Sequence, residues 1–275
     1  MIARSLAVGV ILPAVVAAAA MVIGAPGAPA TASATAGASA SASAPRVIGA
    51  SKAPPPIPQP TASHPIRILE IGDSLGEDLG FGMSDVLGHD RLVRIIAAAV
   101  GDSGLARPDY YNWPAHLAVE LHRYHPQAVV VMLGGDDGQS FIDNGRYVGF
   151  GTALWHKVYS RRVARLMNEA TGAGAHVFWV GMPIMGSPAL SHEMMLENQV
   201  FAQQALAHKG AGYFSCWRLF ANAEGRYAQY LEDSSGHLVM ERDPDGVHLT
   251  GAGADRLASA IVAPMQKLFG VRLGR

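Results

Sequence analysis

The chain has 275 residues, 49% hydrophobic and 16% charged, with one cysteine and a formal net charge of −1. That length supplies a buried core for one or two domains. The balanced charge argues against the basic surplus of a nucleic-acid binder, and the lone Cys216 excludes an internal disulfide framework and a thiolate-rich zinc site.

In chain order, Arg4 precedes an apolar run from Leu6 to about Gly24, and the small-residue sequences Ala28-Pro29-Ala30 and Ala30-Thr31-Ala32 follow. Residues 1–30 read as an export signal, either cleaved or kept as an N-terminal membrane anchor. Pro13 and the many alanines weigh against the anchor. Either way the rest of the chain is expected outside the cytoplasm, extracellular or in the cell envelope. Of the 40 residues from 24 to 63, 34 are Ala, Ser, Pro, Gly or Thr, and only Arg46 and Lys52 are charged. Such a stretch buries too little apolar area to offset its ordering entropy, so residues 31–63 are expected to form a disordered linker. The globular domain is expected over residues 64–275, with no internal repeat.

Within it, apolar runs at 66–71, 92–100, 128–133, 176–180 and 212–214 read as strands. Helices are expected at 75–87, 114–124, 153–171 and 191–208, with a last one capped by Thr250 and running to about Phe269. Residues 227–231 and 237–241 flank Asp233-Ser234-Ser235-Gly236 and read as a hairpin. Strands alternating with helices predict an α/β fold, a three-layer α/β/α sandwich around a mostly parallel sheet. In such sheets sites form at the carboxyl ends of the strands.

Four segments stand there. The first strand runs into Gly72-Asp73-Ser74, where a serine opening a helix lies among backbone N–H groups able to stabilise an oxyanion. A second Gly-Asp-Ser, at 101–103, follows the second strand; a turn with an Asp or Ser cap accounts for either copy on its own. The third strand ends in Gly134-Gly135-Asp136-Asp137-Gly138-Gln139, polar residues that suit a cleft or a plain turn. Asp245 and His248, three apart before the last helix, can pair as carboxylate and imidazole, leaving the other ring nitrogen to take a proton from a serine. No metal site is expected, since no further ligand stands at metal-binding spacing. His122-x-x-His125, beside Pro126, reads as surface polarity.

Taken together and in this order, the segments resemble the SGNH (GDSL-type) hydrolase superfamily across the whole globular part. The resemblance implies a flavodoxin-like sheet, Ser74 as nucleophile, and Asp245 and His248 as the rest of a triad. It also implies an oxyanion hole of the Ser74 and Gly104 N–H groups, and no cofactor. Block order assigns the first Gly-Asp-Ser to the nucleophile and the second to the glycine block. Finer features are similar to the SGNH domain of bacterial O-antigen acyltransferases: residues 104–110 with Trp113-Pro114, residues 137–139, Trp155-x3-Tyr159-x2-Arg162, and residues 245–250. For Trp113, Trp155 and Tyr159, helix packing accounts for the residues as well as substrate contact does.

One position departs from the family's pattern. Its third block carries asparagine, whose side-chain NH₂ donates to the oxyanion, and this chain has Asp136 there. An ionised carboxylate cannot donate, and the loss of one such donor typically costs about 10²–10³ in rate. The expected function is a secreted or membrane-tethered serine esterase acting on an O-acyl ester, with acylated cell-envelope glycan as the substrate class. The alternatives are an acyltransferase using the same triad and a weakly active SGNH-fold binding protein.

Overall fold

A computed structural model describes residues 53–273. Their elements are β1 (Ile66–Gly72), α1 (Ser74–Leu87), β2 (Val93–Ala97), α2 (Trp113–Tyr124), β3 (Ala128–Met132), β4 (Phe141–Asp143), β5 (Arg146–Val148), α3 (Ala153–Gly172), β6 (His176–Val180), α4 (Pro188–Ala207), β7 (Ala211–Phe214), β8 (Tyr230–Glu232), β9 (Leu238–Met240) and α5 (Gly251–Phe269). A short 3₁₀ turn at Trp217–Phe220 follows β7.

Five of the strands form one sheet in the order β2-β1-β3-β6-β7, every neighbouring pair parallel. Parallel strands need crossovers, and the helices supply them: α1 packs on α5, while α2, α3 and α4 pack in a row. Covered on both faces, β1 and β3 bury almost every side chain, which is why they read as unbroken apolar runs. The expected second strand ran to residue 100, and β2 ends at Ala97. The backbone nonetheless stays on β1, with Ala98 N–H donating to Glu70 O and Val100 N–H to Gly72 O.

The order reverses between β1 and β3: the connection from β1 leads to β2 on one side, and that from β3 leads to β6 on the other. This is the switch point where α/β sheets open a crevice, and both the Asp73-Ser74 turn and the loop after β3 lie there.

The amino-terminal boundary differs from expectation. Residues 53–63, assigned by composition to the linker, lie along the opposite edge of the domain. Pro54 and Ile57 are buried, Pro55 O lies 3.1 Å from His176 Nε2, and Gln59 Nε2 donates to Gly270 O. One well-placed isoleucine and the low conformational entropy of prolines hold a segment that composition alone counts as uncommitted. Ile57→Ala is therefore expected to cost about 2 kcal/mol and lower Tm by roughly 5 °C, readable by thermal unfolding. The expected export signal and most of the linker lie outside the described residues. Among the described residues no helix is long and apolar enough to cross a membrane.

Two small hairpins complete the domain. The expected one forms between β8 and β9. The other, β4–β5, was not expected, although its turn is Asn144-Gly145, both at positive φ (50° and 75°), the dipeptide that two-residue hairpin turns favour.

Candidate active site

Helix α1 begins at Ser74, with Asp73 as N-cap accepting from the Leu75 N–H at 3.0 Å. At a first helical position the backbone N–H has no intrahelical acceptor, and the helix dipole is positive there. The other Asp73 oxygen accepts the N–H groups of Gly134 at 2.8 Å and Gly135 at 2.6 Å, tying the third-strand loop to the serine turn. Burial pushes the Asp73 carboxyl up to about 7 against the opposing pull of these two bonds.

His248 arrives from the loop before α5. Its Nε2 lies 2.9 Å from Ser74 Oγ, and its Nδ1 2.6 Å from Asp245 Oδ2. Because a carboxylate only accepts, Nδ1 carries the proton and Nε2 is left to accept from the serine. Asp245 is itself oriented by the N–H groups of Val247 (2.8 Å) and His248 (3.0 Å). Burial works to raise its carboxyl, but the bonds from His248 and the two backbone N–H groups outweigh that and hold it at about 2. His248 is raised above the ordinary imidazole value, chiefly by the Asp245 hydrogen bond.

The loop that presents the histidine is pinned from behind. Arg242, with no solvent exposure, donates to Ile184 O and Val247 O, both at 2.6 Å, and stacks near the Phe220 and Tyr227 rings. Asp78, one turn along α1 from Ser74, accepts the Leu249 N–H at 2.9 Å.

The second Gly-Asp-Ser has a different fate. Ser103 is fully buried; its Oγ donates to Val100 O and accepts from Trp113 Nε1 at 3.0 Å. Its hydroxyl thus joins the backbone at Val100 to the Trp113 indole. A Cβ on Gly104 would lie 2.2 Å from Asp137 Oδ1, so only glycine permits that approach. Asp137 is fully buried and accepts from the N–H of Leu105 (2.9 Å), the N–H of Ala106 (2.6 Å) and the Tyr159 hydroxyl (2.6 Å). Trp113, Trp155 and Tyr159 are core residues, at most 2% exposed.

Asp136 is exposed on the wall of a cavity of about 190 Å³ beside Gly104, with Asp102, Arg107, Tyr110 and Gln139. Burial first, and then the nearby Asp102, raise its carboxyl above the ordinary value, while His248 pulls the other way. The third-block residue thus borders the same crevice as Gly104. Among the described residues no group of three or more His, Cys, Asp or Glu is placed to hold a metal ion.

Ser74, Asp245 and His248 are thus brought together, with Gly104 and Asp136 in the adjoining loops. Beyond a capping role for Asp73, sequence reasoning assigned nothing to Asp73, Asp78, Arg242, Asp137 or Arg162, because most of their partners are groups that only the fold brings near. The Asp137 and Arg162 positions were visible only as part of the family-like pattern.

The family model described as "Protein of unknown function (DUF459)" matches residues 67–264. None of the curated proteins matches the chain. Among solved structures, the chain is similar to TesA, at 18% identity and TM-score 0.51 over 74% of this chain and 99% of that one. It is similar to a GDSL-like lipase from Bacteroides thetaiotaomicron at 15% identity and TM-score 0.52, covering 77% and 92%. A catalytic mutant of an acetylxylan esterase from Geobacillus stearothermophilus matches at 14% identity and TM-score 0.53, covering 76% and 96%. At these identities the likeness is one of fold, that of the SGNH/GDSL hydrolases.

Proposed function

We propose that this chain, which belongs to the DUF459 family, is a serine ester hydrolase that removes a short O-acyl group from a polyhydroxylic substrate, an acylated cell-envelope glycan being the class, outside the cytoplasm. The observation that carries the reading is the unbroken hydrogen-bonded relay from Asp245 through His248 to Ser74. The fold likeness to an acetylxylan esterase supports it. So does the small cavity beside Gly104, lined mostly by charged and polar residues, which suits a short acyl group or a hydroxylated one better than a long alkyl chain. The apolar amino-terminal run supports the location.

The chemistry follows from the geometry. Ser74 Oγ attacks the ester carbonyl and its proton passes to His248 Nε2, while Asp245 stabilises the resulting imidazolium. The carbonyl oxygen becomes an oxyanion facing the N–H groups of Ser74 and Gly104. Collapse breaks the C–O bond, and the departing alcohol takes the proton from His248. Water then attacks the acyl-serine with His248 as base, releasing the carboxylic acid and restoring Ser74.

Steady-state hydrolysis of p-nitrophenyl acetate, p-nitrophenyl octanoate and an O-acetylated oligosaccharide tests the proposal. Higher kcat/KM on the acetyl substrates, with acetate released from the oligosaccharide, is the expected result. No turnover of any ester overturns it, and a preference for octanoate overturns the short-acyl part. A polyol acceptor added to the same assay separates hydrolysis from acyl transfer.

Asp136 gives a sharper prediction. Its charge opposes the oxyanion, so Asp136→Asn replaces an acceptor with a donor and is expected to raise kcat/KM about tenfold or more at neutral pH. Since the carboxyl is raised above its ordinary value, the gain should shrink as pH falls and Asp136 itself becomes a donor. Rates for both forms between about pH 5 and 8, where a histidine base titrates, check this; equal or slower hydrolysis by the asparagine form would count against it.

A further inference from the structure

We propose that Asp137 and Arg162 are positioning residues that set the oxyanion hole by gripping the backbone just after Gly104 from both sides; the inference rests on the hydrolase reading above. The peptide between Leu105 and Ala106 is held at both ends. Its N–H donates to Asp137 Oδ1 at 2.6 Å, and its carbonyl accepts from Arg162 Nη1 at 2.8 Å. The flanking groups repeat the pattern: Leu105 N–H donates to Asp137 Oδ2 at 2.9 Å, and Ala106 O accepts from the same Arg162 Nη1 at 2.8 Å.

Each gripping side chain is itself fixed. Tyr159 OH donates to Asp137 Oδ2 at 2.6 Å, so the buried carboxylate accepts three hydrogen bonds. The other arm of Arg162 donates to Asp143 Oδ1 at 3.0 Å, and its guanidinium lies 4.0 Å over the Phe141 ring. Both of those partners belong to the β4–β5 hairpin, so the hairpin acts as a backstop for the clamp. Asp137 Oδ1 also lies where a Gly104 side chain would begin, which places the carboxylate directly against the residue that offers the N–H.

The need for such a clamp follows from the residue at position 136. Where the family has an asparagine donor this chain has a carboxylate, so the hole is left with backbone donors. The Ser74 N–H is oriented by helix α1, but the Gly104 N–H stands in a loop and has no helix to aim it. Oxyanion stabilisation depends on donors held in place before the charge develops, so the loop must be made rigid by side chains. A turn that only needed to close would not require a buried carboxylate and a guanidinium on opposite edges of one peptide.

The test uses Arg162→Lys, which keeps the charge but loses the planar two-armed geometry, and Tyr159→Phe, which removes one donor to Asp137. With a short-chain p-nitrophenyl ester, Arg162→Lys is expected to lower kcat per titrated site about 10- to 100-fold with KM nearly unchanged. Affinity for a phenylboronic acid, whose tetrahedral adduct places an oxygen in the hole, should fall in parallel. The pH midpoint of kcat/KM should stay put, because the His248–Asp245 pair is untouched, and fluorophosphonate should still label every chain. Tyr159→Phe should show the same pattern more weakly, and it carries the test alone if Arg162→Lys does not fold. A residue that only supports the fold would instead lower Tm and the labelled fraction while leaving kcat per labelled site and boronate affinity unchanged; that result overturns the clamp. A wild-type chain that hydrolyses no ester overturns the hydrolase reading and the clamp with it, whereas an active wild type with unaffected variants overturns the clamp alone.

Discussion

Ser74→Ala is expected to lower kcat on a short-chain ester about 10⁴-fold or more, since no other group can form the acyl intermediate. Ser103→Ala, in the same tripeptide 29 positions on, should leave kcat within a few-fold. The contrast is structural. Ser74 opens a helix and meets His248 Nε2 at 2.9 Å, whereas Ser103 is fully buried against Val100 O and the Trp113 indole. Removing the Ser103 hydroxyl leaves the Trp113 N–H without its acceptor, a loss of about 1–3 kcal/mol, so that variant should show a lower Tm with near-normal turnover. Measuring kcat and Tm for both variants decides the matter. An inactive, well-folded Ser103→Ala beside an active Ser74→Ala would reverse the assignment.

The second large effect concerns Asp245 and carries a pH signature. Asp245→Asn preserves shape but no longer demands the proton on His248 Nδ1, so kcat is expected to fall about 10³- to 10⁴-fold. In the native chain the His248 pKa is raised above 6.5, chiefly by the Asp245 bond. The base must be neutral, so kcat/KM should fall as pH drops through a midpoint above 6.5. In Asp245→Asn that midpoint should move down. An unmoved midpoint would show that Asp245 does not govern the imidazole.

Stability from the same pair has a different dependence. His248, raised on folding, contributes fully below its unfolded value and loses the contribution as pH rises through its folded value. Asp245, lowered to about 2, contributes above its unfolded value and loses that as pH falls through about 2. The pair therefore stabilises most between about pH 4 and 6.5, by about 1 kcal/mol or less because both side chains are partly exposed, and below the pH at which the imidazole is a free base. Thermal unfolding of native chain and Asp245→Asn from about pH 4 to 9 should show the gap between them narrowing as pH rises past the His248 value.

Much of this molecule was legible along the chain because the relevant forces are local. Doubly covered parallel strands must be apolar on both faces, so 66–71 and 128–133 announced themselves as β1 and β3. Helix starts were legible where a polar residue stood ready to accept an N–H, as Thr250 does for Gly253. The order of the strand-end segments pointed to Ser74, Asp245 and His248, since three residues suffice for a carboxylate to reach an imidazole.

What only the tertiary structure decided is how groups far apart in sequence meet. Composition could not tell that Ile57 finds a place in the core, because burial depends on what lies beneath a residue and not on its neighbours in the chain. The β4–β5 hairpin has strands of three residues with Ile142 and Tyr147 exposed, too short for periodicity to register. Ser74 and His248 stand 174 positions apart, Arg162 and Leu105 57 apart, and Arg242 and Ile184 58 apart. Sequence pattern records which faces must be buried and where the backbone turns. Only the closed sheet, reversing its order beside β1, determines which buried polar groups face one another, because the cost of an unpartnered charge or N–H is paid in three dimensions.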